Sequence, residues 1–276
     1  MALEFHKMHG AGNDFVVIDA RKQLFDPTPE QVIAIADRHF GIGCDQIMVL
    51  RKPVSHDHRV RYEIWNADGS RAGQCGNGAR CVAHLLELNG ECGDRPFTAE
   101  SPSGIVRFTR CSDGEYEVDL GEPDFRPEQV PVALETDDSM YRLASPWGVV
   151  EFGAVSMGNP HCLLLVDDMD DPRIPEIGAW LGRQPAFPQR VNAGFARVRD
   201  RRSIDLRVIE RGPGETLACG SGACASVAIL ARLGRVGETV DVFLPGGRLV
   251  IKWPGQQGPV SMKGPAAHIF RGIMNG

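Results

Sequence analysis

The strongest constraint in this sequence is a pattern that occurs twice. From Asn66 to Cys81 the chain reads NADGSRAGQCGNGARC, and from Glu210 to Cys224 it reads ERGPGETLACGSGAC. In each, a Cys-Gly-x-Gly group is followed by an apolar run at helical spacing: Val82, Ala83, Leu85, Leu86 and Leu88 after Cys75, and Val227, Ile229, Leu230 and Leu233 after Cys219. The pattern places each thiol at the start of a helix.

The copies extend upstream. MHGAGNDFVVID (Met8 to Asp19) is echoed by VSMGNPHCLLLVD (Val155 to Asp167), with Gly12-Asn13 matching Gly158-Asn159 before an apolar strand. Asn13 precedes Cys75 by 62 positions and Asn159 precedes Cys219 by 60, while Asn66 and Glu210 each stand nine before their cysteine. Ordered features at matched spacing point to an internal duplication.

Short strands are expected at Leu3 to Met8, Phe15 to Asp19, Gln46 to Leu50, Arg59 to Asn66, Phe97 to Glu100, Ile105 to Arg110 and Tyr116 to Leu120. Near the end they recur at Thr239 to Leu244, Arg248 to Trp253, Val260 to Lys263 and His268 to Ile273. Thr28-Pro29-Glu30 opens a further helix, expected to run to about His39, and Asn89-Gly90 ends the one after Cys75. Many short strands around two strong helices predict an α+β fold. It has two pseudo-symmetric domains, each a mostly antiparallel sheet curled around a central helix, with the active site in a cleft between them. The Gly121-Glu122-Pro123 break divides the chain into 1–120, joined by a returning strand within 265–276, and 121–264.

Composition narrows the partners. With 36 acidic and 30 basic side chains the net charge is −6, and no basic stripe forms, which argues against nucleic acid and favours a small polar substrate. The first residues, MALEFHKMHGAG, lack an apolar signal core, and no run of 18 apolar residues occurs, so a soluble cytoplasmic protein away from membranes is expected. In that compartment the eight cysteines are expected as thiols.

A cysteine at a helix start sits among unsatisfied N–H groups at the positive end of the helix dipole, which favours thiolate and can also hold a carboxylate. Two such sites facing one α-carbon could take a proton from one side and return one to the other. That is racemisation or epimerisation without a cofactor. A pyridoxal phosphate route would need a lysine, and Lys7, Lys22, Lys52, Lys252 and Lys263 all lie outside the duplicated motifs.

HGAGNDF (His9 to Phe15), FGIGCDQ (Phe40 to Gln46), NADGSRAGQCGNGARC, GNPH (Gly158 to His161), VNAGF (Val191 to Phe195) and ERGPGETLACGSGAC together resemble diaminopimelate epimerases over the whole chain. The resemblance implies cofactor-independent interconversion of LL- and meso-2,6-diaminopimelate in lysine and peptidoglycan precursor synthesis. Cys75 and Cys219 would be the acid/base pair, Cys219 accepting and Cys75 donating in the LL to meso direction. It implies substrate contacts at Asn13, Gln46, Asn66, Gly76, Asn77, Asn159, Asn192, Glu210, Arg211, Gly220 and Ser221, with His161 and Glu210 tuning the thiols. Arg211 suits a carboxylate and Glu210 an ammonium group. The resemblance also implies a homodimer with a tyrosine at its contact, where this chain carries Phe270.

Other readings remain. Cys44, Cys92, Cys111 and Cys162 read as buried packing residues, as do Cys81 and Cys224. A zinc module would want closer cysteine spacing than six and five, and a redox protein a C-x-x-C pair, so no metal is expected. A sister enzyme such as a proline-type racemase is the runner-up, and Arg211 with its asparagines favours a longer substrate with a second charged end.

Overall fold

A computed structural model describes residues 2–93, 95–134, 140–255 and 258–275. The chain divides into two compact units, Met1–Asp119 with Lys263–Gly276, and Leu120–Met262.

The first unit contains β1 (Ala2–Gly10), β2 (Asn13–Asp19), α1 (Pro29–Ala36), β3 (Gln46–Arg51), β4 (Val60–Asn66), α2 (Gly76–Leu88), β5 (Phe97–Ser101), β6 (Gly104–Arg110) and β7 (Tyr116–Asp119). The second contains β8 (Tyr141–Ser145), β9 (Gly148–Ser156), β10 (Pro160–Leu165), α3 (Ile174–Leu181), β11 (Asn192–Asp200), β12 (Ser203–Glu210), β13 (Gly214–Thr216), α4 (Gly220–Arg232), β14 (Thr239–Leu244) and β15 (Gly247–Lys252). The chain returns through β16 (Ser261–Gly264) to β17 (Ala267–Asn275), which pairs antiparallel with β1, Leu3 opposite Met274.

The two units repeat one strand order. In the first, β1 runs antiparallel to β2, β2 parallel to β3, β3 antiparallel to β4, β4 parallel to β5 and β5 antiparallel to β6. In the second, β9, β10, β11, β12, β14 and β15 follow the same sequence of pairings. Parallel neighbours need a crossover, and helices supply it: α1 and α3 at the first parallel step, α2 and α4 at the second. This sheet-dominated α+β architecture is the expected class.

Strands with helices on both faces must be apolar on both faces. In β2, Phe15 to Ile18 are all fully buried, and Ile47 to Leu50 repeat this in β3. Val16, Ile18, Ile47 and Val49 pack with Val32, Ile35 and Ala36 of α1. The opposite face meets α2, which packs against β1, β2, β3, β7 and β17 and is buried from Gly76 to Ala83. In the second unit Phe152, Cys162, Leu164, Ala193 and Phe195 pack with Ile174 and Leu181 of α3, while α4 packs against β9, β10, β11 and β15.

Three expectations change. Helix α1 stops at Ala36, short of His39, because the Asp37 carboxylate takes the N–H groups of His39 and Phe40 and turns the chain. Helix α3 was not expected. It is eight residues long with a proline in its first turn, and Gly178 inside it is required because a Cβ there would lie 2.4 Å from Ile209 Cγ1. Cys92 and Cys111 are half-buried, unlike the buried Cys44, Cys81, Cys162 and Cys224, and all eight cysteines are free thiols. Among the described residues no helix is long and apolar enough to cross a membrane.

Candidate active site

The tight turn between β1 and β2 holds Ala11 and Gly12 at positive φ (53° and 84°) and delivers Asn13 to the start of β2. Because β3 is parallel to β2 and antiparallel to β4, Gln46 at its start stands beside Asn66 at the end of β4. Gln46 Nε2 donates to Asn66 Oδ1 at 2.8 Å, and Asn66 Nδ2 donates to Ser70 Oγ at 3.0 Å. One end of the sheet thus collects the amides.

Cys75 caps α2 with extended backbone, φ −152° and ψ 102°, and its sulfur accepts from the Gly78 N–H at 3.4 Å. That approach depends on Gly78, since a Cβ there would fall 2.7 Å from Met48 Sδ and 3.1 Å from Phe15 Cε1. The Cys75 sulfur lies 3.8 Å from Asn13 Oδ1, which also accepts from Asn77 Nδ2 at 3.3 Å. Asn13 Nδ2 donates to Asp45 Oδ2 at 2.8 Å. Gly76 and Asn77 are buried in the first turn behind the thiol.

The second unit has the same frame with different chemistry. Gly158, φ 83°, leads into Asn159 and β10. His161 on β10 is level with Asn192 at the start of β11, and both are 2% exposed. Burial, with the Arg211 charge adding to it, pushes the His161 pKa down to about 3, so its ring is neutral at pH 7. His161 Nε2 lies 3.0 Å from Asn159 Oδ1, and an amide oxygen accepts, which assigns the ring proton to Nε2. Asn192 Nδ2 donates to the Pro160 carbonyl at 3.2 Å, and its Oδ1 accepts from the Arg211 backbone N–H at 3.1 Å. Arg211 itself is exposed, with Nη1 3.4 Å from the Gln189 carbonyl.

Glu210, at the end of β12, accepts from Thr216 Oγ1 at 2.6 Å. Cys219 caps α4 with the same extended backbone and is 5% exposed. Its sulfur lies 3.7 Å from Ser221 Oγ, and Gly220 follows it directly. A Cβ on Gly222 would come within 3.2 Å of that sulfur and 3.0 Å of Val208 Cγ2. Burial first, then the Glu210 charge, push the Cys219 thiol well above its ordinary pKa, against the Gly222 N–H and the Ser221 hydroxyl. A helix start alone does not make this group a thiolate.

Three residues that support these side chains were not singled out from the sequence. Asp45 holds Asn13, Thr216 holds Glu210, and Arg80 holds Asn77 through a 2.8 Å bond from Nη2 to Oδ1. Each stands inside a motif already noted, and that position was the only signal. Phe270 is on β17, 46% exposed, with its ring edge-on to Phe5 at 6.0 Å. No group of three or more His, Cys, Asp or Glu among the described residues could hold a metal ion.

A profile of the family described as diaminopimelate epimerase matches residues 5–126 and 153–269. The chain belongs to the diaminopimelate epimerase family. A diaminopimelate epimerase of Xanthomonas campestris pv. campestris is 48% identical over 274 residues, covering 99% of this chain and 96% of its own. One of Thioalkalivibrio sulfidiphilus is 46% identical over 277 residues, covering all of both chains. As a member of the diaminopimelate epimerase family, the protein is an isomerase. Among solved structures, a hydroxyproline epimerase of Agrobacterium vitis, determined with trans-4-hydroxy-L-proline, has a TM-score of 0.75 at 17% identity over 99% of this chain and 91% of its own. That likeness is one of fold.

Proposed function

We propose that this chain interconverts LL- and meso-2,6-diaminopimelate without a cofactor, with Cys75 and Cys219 as a thiol pair acting on one α-carbon. The observation that carries the reading is the equivalence of the two cysteines, each capping the helix that follows the fourth strand of the same repeated frame. In the LL to meso direction Cys219 takes the α-hydrogen and Cys75 delivers a proton to the opposite face. Glu210 raises the proton affinity of Cys219, which suits a base that must hold a carbon-bound proton. First-turn N–H groups at Gly76, Asn77, Gly220 and Ser221 stabilise the reacting carboxylate as charge develops. Asn13, Gln46, Asn66, Asn159, Asn192 and Arg211 read the rest of the substrate, Arg211 holding the distal carboxylate. Buried neutral His161 keeps Asn159 oriented.

The reading assigns the protein to lysine and peptidoglycan precursor synthesis in the cytoplasm, where free thiols persist. It includes a homodimer, supported by exposed Ile269, Phe270 and Ile273 on β17. Light scattering giving a monomer mass at micromolar concentration would remove that part.

The deciding experiment follows LL-diaminopimelate by NMR in heavy water with wild type, Cys75→Ala and Cys219→Ala. Formation of α-deuterated meso isomer by wild type, lost in both variants, is the expected result. Turnover of proline in place of diaminopimelate would move the enzyme to a sister activity, and turnover unaffected by either substitution would end the two-thiol reading.

A further inference from the structure

Arg80, in the second turn of α2, has no solvent exposure and is the largest wholly buried side chain among the described residues. A buried guanidinium is costly unless its donors are used, so its partners define a purpose. Nε donates to the Pro265 carbonyl at 3.3 Å and Nη2 to Asn77 Oδ1 at 2.8 Å. Gly10 makes the room: a Cβ there would stand 3.2 Å from Nη2 and 3.3 Å from both the Asn77 and Pro265 carbonyl oxygens. The glycine that opens the turn to Asn13 is thus shaped around Arg80.

A guanidinium only donates, so the Asn77 atom facing it is the amide oxygen and its NH2 faces Asn13. The Asn13 atom receiving that NH2 is then its oxygen, which leaves its own NH2 for Asp45, a carboxylate that only accepts. A cation at one end and an anion at the other fix the direction of every bond between. The Cys75 sulfur lies against Asn13 Oδ1, an acceptor already engaged by Asn77. This contact is long for a thiol donor and its acceptor is shared, so Asn13 itself holds the thiol proton weakly.

We propose that Arg80 is a positioning residue for the reaction: acting through Asn77 and Asn13, it keeps the acceptor beside Cys75 shared, so that Asn13 does not compete strongly for the proton the thiol delivers. The inference rests on the two-thiol reading for its role in catalysis. When Asn77 is no longer held, Asn13 Oδ1 becomes a stronger partner for the S–H group, and Cys75 gives up its proton less readily.

The experiment is a double-substitution cycle with Arg80→Met, Asn77→Ala and the pair, reading the pH midpoint of Cys75 alkylation by iodoacetamide with mass spectrometry. That midpoint is a property of the thiol and does not depend on which substrate the enzyme accepts. Each single change is expected to raise it by roughly half a unit to one unit, and the pair to raise it no further than either alone. Epimerisation should lose about tenfold to hundredfold in kcat with KM within about twofold. Arg80→Lys, which keeps a donor toward Asn77, should restore most of the midpoint. A midpoint that stays put in Asn77→Ala, where Arg80 and its contact to Pro265 remain, overturns the proposal. Additive shifts in the pair do the same. Should Arg80→Met not fold, as judged by circular dichroism, the Asn77→Ala and Arg80→Lys midpoints still decide.

Discussion

Cys75 and Cys219 cap equivalent helices in two copies of one strand order, yet their surroundings differ. Beside the half-buried Cys75 thiol stands the Asn13 amide, which is bonded to Asn77. Around Cys219 near-complete burial and a carboxylate oppose ionisation, and elsewhere in this unit Asn159 is held by a buried His161. Asn66 in the first copy is Glu210 in the second, each ending the fourth strand nine residues before its cysteine. The backbone frame has been kept, while burial first and the Glu210 charge second hold the Cys219 thiol in its protonated form. Duplication supplies the geometry, and divergence supplies a pair of groups that are not interchangeable.

The largest test of that asymmetry removes each sulfur. Cys75→Ala and Cys219→Ala are each expected to lower epimerisation by about a thousandfold or more. They should differ in what survives. With Cys219 as the base for the LL isomer, Cys75→Ala retains slow α-hydrogen exchange of that isomer without inversion, whereas Cys219→Ala loses it. Equal exchange in the two variants, followed by NMR in heavy water, would break the assignment of roles.

Next comes Glu210→Gln, which makes the second half-site resemble the first. Removing the negative charge beside Cys219 lowers that thiol's pKa, because the thiolate no longer faces a carboxylate. Alkylation of Cys219 should move to lower pH, while kcat falls by about a hundredfold as the base weakens. If the midpoint of Cys219 rises or stays, burial alone sets its state and the Asn66/Glu210 contrast is not its cause.

The buried histidine gives the second unit a pH dependence that the first lacks at the matching place. The folded pKa of His161 is near 3 and its ordinary value is 6.5, so between these values the unfolded chain binds the proton more strongly. This contribution to stability is present above pH 6.5 and is lost as pH falls toward 3. Between pH 7 and pH 5 it amounts to about 2 kcal/mol. Urea midpoints of wild type and His161→Gln should therefore converge on acidification. Parallel curves would show that His161 stays neutral in both states, or charged in both.

The sequence exposed this frame unevenly, for physical reasons. Alternation in Val60, Tyr62 and Ile64 and the continuous run in Phe15 to Ile18 record burial on one or two faces, so those strands and the α+β class could be read directly. Helix α3 was hidden because eight residues carrying Pro175 and Gly178 resemble a loop, and it is tertiary packing of Ile174 and Leu181 in the core, with Ile209 close over Gly178, that explains it. The two helix starts were legible as Cys-Gly-x-Gly, but the state of Cys219 was not, since burial and the approach of Glu210 come from tertiary packing. Asp45, Arg80 and Thr216 were in view as letters. Asn77 and Arg80 are i and i+3 on α2, helical neighbours, but that the pair is buried comes from tertiary packing. The partners of Asp45 and Thr216 lie 32 and 6 positions away with no periodicity to join them.

The smallest contrast concerns the two glycines three residues after each thiol. Alanine is the better helix former by about 1 kcal/mol, so each substitution starts with a gain that local crowding must overcome. At Gly78 a Cβ meets Met48 Sδ at 2.7 Å and the Phe15 ring at 3.1 Å in a fully buried layer, and moving them costs about 1–3 kcal/mol. Gly78→Ala should lower stability by about 1 kcal/mol net. At Gly222 the nearest atoms are Val208 Cγ2 at 3.0 Å and the Cys219 sulfur itself at 3.2 Å, so a shift of a few tenths of an ångström relieves the contact. Gly222→Ala should leave stability within about 1 kcal/mol of wild type, yet reduce kcat by displacing the sulfur. Thermal denaturation beside kinetics separates the two. The reverse pattern, with stability lost at Gly222 and activity lost alone at Gly78, would mean that the first-turn glycine serves packing in the second copy and thiol placement in the first.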